Sequence, residues 1–206
     1  MNSTPAGIED ALLDVRKAYR LLHDYQRMVM DALDYVGTQF GLTYLGGWPK
    51  FSGAMPRPGR GGLDYLAWDW LNMMAYDFHF TREIEEGKTL MVSMLLISDT
   101  GYYCSKEEAL EQIDPADFLP PEQSGTKIGF VISVKEWRPE FMEDRAAMRT
   151  FIETGGKLPA EFVGKGIVTT CYDLARLMSE DSTNGLIDEL IAVAKKAHIP
   201  LQRHVK

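Results

Sequence analysis

The sequence predicts an α+β fold: a mostly antiparallel four- to five-stranded sheet packed against a long N-terminal helix and a C-terminal helix. Three observations predict it. One helical period runs through residues 8–40, residues 76–98 read as a β-hairpin, and a second helical period occupies residues 186–194.

The first helix carries the strongest pattern. Ile8, Leu12, Val15, Tyr19, Leu22, Gln26, Val29, Leu33, Val36 and Phe40 follow alternating steps of four and three, a heptad seam with one polar member, Gln26. Thr4 suits an N-cap, Pro5 the first helical position, Glu9 and Asp10 the positive helix end, and Gly41 a stop, so the helix is expected over residues 4–41. At 1.5 Å per residue it measures about 50 Å, more than a small sheet covers. Packing on the chain's own sheet is one expectation for the seam. The other is a homodimer through Ile8 to Phe40, in which Gln26 fixes the register.

Residues 45–62 are rich in Gly and Pro, show no apolar period and read as a long loop. Lys50, Arg57 and Arg60 make it basic. Residues 63–206 then form the sheet-containing body of one domain spanning 1–206. From Tyr76 the alternation is clear: Tyr76, Phe78 and Phe80 share one strand face, and Asp77, His79 and Thr81 the other. Glu85 to Lys88 supplies the turn. Thr89 to Ser98 is apolar on both faces, as a central strand is. An amphipathic stretch from Ser105 to Ile113 follows. Lys127 to Trp137 is expected as a third strand, a helix from Pro139 to about Ile152 comes next, and Gly166 to Tyr172 is the fourth strand. Asp173 suits the cap of a short helical piece to Met178. Thr183 or Asn184 suits the cap of the last helix, whose apolar face is Leu186, Ile187, Leu190, Ile191 and Ala194.

Composition narrows the function classes. The chain has 206 residues, 45% of them hydrophobic, and a net charge of -8. That is globular rather than disordered composition. The acidic balance repels phosphate backbones, so nucleic acid is not an expected partner. Cys104 and Cys171 have no CxxC spacing and read as free thiols in a reducing compartment, with one disulfide between them as the alternative. No basic stretch followed by an apolar one opens the sequence, and apolar runs such as Met91 to Ile97 are far shorter than a bilayer span. A cytoplasmic chain without membrane contact is the expectation.

Motifs for cofactor chemistry are missing. Gly59-Arg60-Gly61-Gly62 and Ser124-Gly125-Thr126-Lys127 lack the spacing of a phosphate loop, the histidines lack metal-ligand spacing, and there is no GxSxG elbow. Neither a cofactor nor a metal is expected. One catalytic constellation stands out. Asp77 lies two residues before His79, on the same strand face, so its carboxylate is placed to orient the imidazole. Asp99, past the end of the partner strand, supplies a third polar group. Together they suggest a small hydrolase; the plainer reading is a polar strand face.

Aromatic residues give a different lead. Trp48, Trp68, Trp70 and Tyr76, with the basic Lys50, Arg57 and Arg60, are the candidate binding residues, because Trp, Tyr and Arg concentrate at interface hot spots. The sequence therefore favours a non-catalytic protein-binding or regulatory module, in the manner of an inhibitor, immunity protein or antitoxin. It would present an acidic, aromatic-bearing surface to a protein partner, a basic one by charge complementarity. The alternatives are the Asp77/His79/Asp99 hydrolase and a small-ligand sensor with an aromatic pocket.

Overall fold

The structure, a computed structural model, describes residues 5–49, 75–85, 87–105, 115–134, 140–163 and 166–204. The helical period becomes α1, Pro5–Gln39. Five strands follow: β1 (Thr43–Pro49), β2 (Ala75–Glu85), β3 (Lys88–Ile97), β4 (Lys127–Val134) and β5 (Ile167–Asp173). Each pairs antiparallel with the next, in the order β1-β2-β3-β4-β5. Between and after them lie the short helix α2 (Gly101–Cys104), α3 (Arg145–Glu153) and α4 (Glu180–Lys196). The α+β fold expected from the sequence is the fold observed.

Four local expectations are corrected. The seven residues Thr43–Pro49 form a strand that takes in the start of the expected 45–62 loop. Gly46, Gly47 and Pro49 hide it, since none favours strand, and β1 is an edge strand bulged between Tyr44 and Gly46. The helix expected from Pro139 begins at Arg145, after a single tight turn over Glu140–Glu143. Asp144 caps it, accepting from Ala147 N at 2.9 Å. The last helix begins before Thr183. Ser179 is its cap, accepting from Ser182 N at 3.3 Å, and Glu180 and Asp181 fill its first turn. Asp173 does occupy the N-cap position of the helical turn Leu174–Leu177, but its side chain makes no capping bond; its carboxylate instead accepts from Lys127 Nζ at 2.6 Å. The Thr4 cap and nearly all of the Ser105 to Ile113 stretch lie outside the described residues.

Strand alternation divides the core. On one face, Phe78, Phe80, Val92, Met94, Phe130 and Ile132 pack against Val29, Leu33 and Val36 of α1, Phe40 just after it, and Leu186, Leu190 and Ala194 of α4. On the other, Leu95, Ile97, Val131 and Cys171 pack against Phe141 and against Met148, Phe151 and Ile152 of α3. Both faces of the central strand β3 are therefore covered, as its apolar run requires. Gly129 permits the close approach of α3, because a Cβ there would lie 2.7 Å from the Phe151 ring.

The C-terminal end of α1 is held by polar contacts as well. Arg82 donates to Phe40 O at 2.6 Å, His204 N donates to Gln39 O at 2.7 Å, and Tyr35 donates to Asn184 Oδ1 at 3.2 Å. Arg203 links Gln39 to α4 through Asn184 and Asp188. Tyr25, bonded to Ser98 at 3.1 Å, is the first residue of the helix to leave full exposure. Every residue from Ile8 to Asp24 is exposed, so roughly half of α1 projects beyond the body. Among the described residues no helix is long and apolar enough to cross a membrane.

Candidate interaction surface

The heptad seam is divided by its surroundings rather than by its chemistry. Its last four members, Val29, Leu33, Val36 and Phe40, are 0–2% exposed against the sheet. The first five, Ile8, Leu12, Val15, Tyr19 and Leu22, are 45–61% exposed along the projecting half. Leu13, Leu21 and Met28 are exposed too, but they lie on the opposite side of the helix and do not belong to this seam. Single exposed apolar side chains are ordinary, but a contiguous stripe of them marks an interaction surface. Gln26, the polar member, is half-buried where the helix meets the body.

The polar constellation lies elsewhere, on the β2–β3 hairpin. His79 stands directly opposite Ser93, and Asp77 is two residues along on the same face, within diagonal reach of both. His79 Nε2 donates to Asp77 Oδ2 at 2.7 Å, and Ser93 Oγ donates to Asp77 Oδ1. Asp77 and Ser93 are buried, and the Trp48 ring of β1 lies 4.6 Å from the imidazole. Asp99 is not part of this group: it sits past the end of β3, where it accepts from Gly101 N at 2.7 Å. Ser93 occupies the third place instead. One signal for it was legible, a polar side chain inside the apolar run from Leu90 to Ile97 of the central strand.

This order of contacts sets the chemistry. In a nucleophilic serine site the hydroxyl gives its proton to the histidine, and the carboxylate stands behind. Here the carboxylate is in the middle and accepts the serine hydrogen bond itself, so among the described residues the imidazole has no hydroxyl bonded to it to activate. The thiols are no better placed. Burial pushes the Cys171 thiol up to about 12, and burial raises Cys104 too, which holds both as thiols rather than nucleophilic thiolates near neutral pH. Among the described residues no three His, Cys, Asp or Glu side chains converge as metal ligands.

Of the candidate binding residues, Trp48 is 53% exposed and lies on β1 near the exposed Tyr44 and Leu45. Tyr76 is half-buried against Phe78, and its ring crosses Gly47 so closely that a Cβ there would lie 2.5 Å from it. Lys50, Arg57, Arg60, Trp68 and Trp70 lie outside the described residues. A groove of 620 Å³ runs between α1 and the start of α4. Asp24, Arg27, Asp31 and Glu180 are among its lining, which makes it an open, charged trough rather than an aromatic pocket.

The family model described as PM0109 matches residues 6–201, nearly the whole chain. No curated protein and no solved structure matches it.

Proposed function

We propose that this chain, which belongs to the PM0109 family, is a non-catalytic protein-binding module that docks a helical partner on the projecting half of α1. One observation carries the reading: a single heptad seam is buried at Val29 to Phe40 and exposed at Ile8 to Leu22. Spacing of three and four residues places side chains as knobs for the holes of another helix. A surface helix without a partner gains nothing from continuing that stripe over its free half. The Asp77-centred arrangement supports a non-catalytic reading, since Ser93 bonds the carboxylate rather than the imidazole that would serve as its general base. The half-exposed Trp48, Tyr44 and Leu45 give the body a second, smaller aromatic contact area.

Site-specific photocrosslinking in the cells that make the protein tests this. A photoreactive side chain at position 19, on the seam, is expected to give one discrete cross-linked product. The same group at position 17, on the opposite helix face, is expected to give none. Equal labelling from both positions, or none from either, would refute the docking role of the seam.

A further inference from the structure

Resting on that reading of α1, we infer that the occupant of the projecting seam is a second copy of this chain, lying antiparallel with Leu12 against Val15 of the other copy and Ile8 against Tyr19. The argument begins with charge. Residues 5–28 hold four acids, Glu9, Asp10, Asp14 and Asp24, and four bases, Arg16, Lys17, Arg20 and Arg27, so this stretch is neutral in a chain of net charge -8. Two copies meeting here avoid the repulsion that any contact between their acidic bodies incurs. Antiparallel pairing also sets the two bodies at opposite ends of the shared helix pair.

The flanking residues select direction and register. With Leu12 and Tyr19 at one core position of the heptad and Ile8, Val15 and Leu22 at the other, Glu9 and Arg16 fall at one flank and Ala11 and Ala18 at the other. A parallel pair faces one flank of each helix with the opposite flank of its partner. That sets Ala11 beside Arg16 and Ala18 beside His23, with no ion pair. An antiparallel pair faces like flanks. With Leu12 on Val15, Glu9 meets Arg16 of the other copy twice over, and Ala11 meets Ala18, small enough for close approach. Sliding by one heptad in either direction brings Glu9 against Glu9 or Arg16 against Arg16. Opposite charge thus favours one arrangement and like charge opposes its neighbours, which is how coiled coils specify partners. The overlap runs from Pro5 to Leu22, and the first fully buried residue, Val29, follows only after it, so the body does not obstruct the partner helix.

Sedimentation of the full chain and of two charge reversals tests the inference. The unmodified chain is expected to dimerise reversibly at concentrations up to about 200 µM, as befits a small interface. Glu9→Arg and Arg16→Glu, each alone, are expected to weaken the dimer about tenfold, by turning two exposed attractions into repulsions. An equimolar mixture of the two variants is expected to recover the original strength. In that mixture a chain with two bases at these positions faces a chain with two acids, and because each variant is also measured alone, a folding defect cannot imitate the recovery. A chain that stays monomeric throughout, or a dimer indifferent to both reversals and to their mixing, overturns the inference. Photocrosslinking at position 19 separates the two levels of failure. A cross-link to a different protein in a monomeric chain removes the second copy and keeps the docking role, whereas no cross-link at all removes both.

Discussion

His79 and Asp77, two residues apart on one strand, are joined by a 2.7 Å hydrogen bond, while Ser93 from the next strand bonds the other oxygen of the same carboxylate. The carboxylate therefore ties β2 to β3 from within. Asp77→Asn keeps the shape but removes the charged acceptor, so His79 or Ser93 must turn to accept from the new amide and neither bond is charge-assisted any longer. Losing that assistance at two bonds costs about 1–3 kcal/mol. Asp77→Asn is expected to lower stability by that amount in urea unfolding, and Ser93→Ala by less, because the smaller residue removes the donor together with its need for an acceptor. An Asp77→Asn protein as stable as its parent would show that this group does not hold the hairpin.

The contact of α3 with the sheet depends on a missing side chain. A Cβ on Gly129 would lie 2.7 Å and 2.8 Å from two carbons of the Phe151 ring, which is fully buried. The ring has no room to retreat, so Gly129→Ala is expected to cost about 1–3 kcal/mol by overpacking. Phe151→Leu shortens the obstructing group at a cost of its own. In a double-mutant cycle the pair is expected to be less destabilising than the two single changes added, by about 1 kcal/mol. Strict additivity would place the strain elsewhere.

How much of this was legible in the sequence depended on the kind of signal. Periods of 3.5 and 2 revealed α1, the hairpin and the division of its faces, because burial imposes them directly on residue type. β1 was obscured: Gly46, Gly47 and Pro49 carry no strand preference, and the strand exists because β2 offers it a paired edge. The pairing of His79 with Ser93 was hidden by a bulge. Glu85 opposite Lys88, counted back without interruption, puts Met94 opposite His79. The irregularity between Glu83 and Glu85 shifts every later pair by one residue and delivers Ser93 instead. Asp99 followed from nearness in sequence alone and was claimed by its own turn at Gly101.

Stability at alkaline pH carries the mark of the second core face. Burial pushes the Cys171 thiol from an ordinary value near 9 up to about 12, and burial raises the buried Tyr103 phenol as well. A raised value in the folded state means that the folded chain keeps a proton the unfolded chain has released. The resulting stability is complete below pH 9 and is lost as pH rises toward 12. For one such group the slope approaches about 1.4 kcal/mol per pH unit. Urea midpoints are therefore expected to fall above pH 9, with Tyr103 adding to the decline at still higher pH. Cys171→Ala is expected to flatten that fall whatever it costs at neutral pH. An unchanged slope in the variant would exclude the thiol as its source.

Leu12 and Leu33 occupy the same position of the heptad, three repeats apart, yet one is 45% exposed and the other 2%. Identical substitutions at the two sites therefore isolate environment from residue type. Leu33→Ala opens a cavity between α1 and the sheet and is expected to cost about 2–5 kcal/mol. Leu12→Ala, measured in dilute protein, removes a side chain that touches little and puts a good helix former in its place, so it is expected to change stability by no more than about 0.5 kcal/mol. The contrast should hold in urea unfolding of the isolated chain and narrow as concentration rises, when the projecting seam finds its occupant and Leu12 becomes buried in turn. A large cost for Leu12→Ala in dilute protein would mean that the first half of α1 already packs against its own chain, leaving no free seam for any partner.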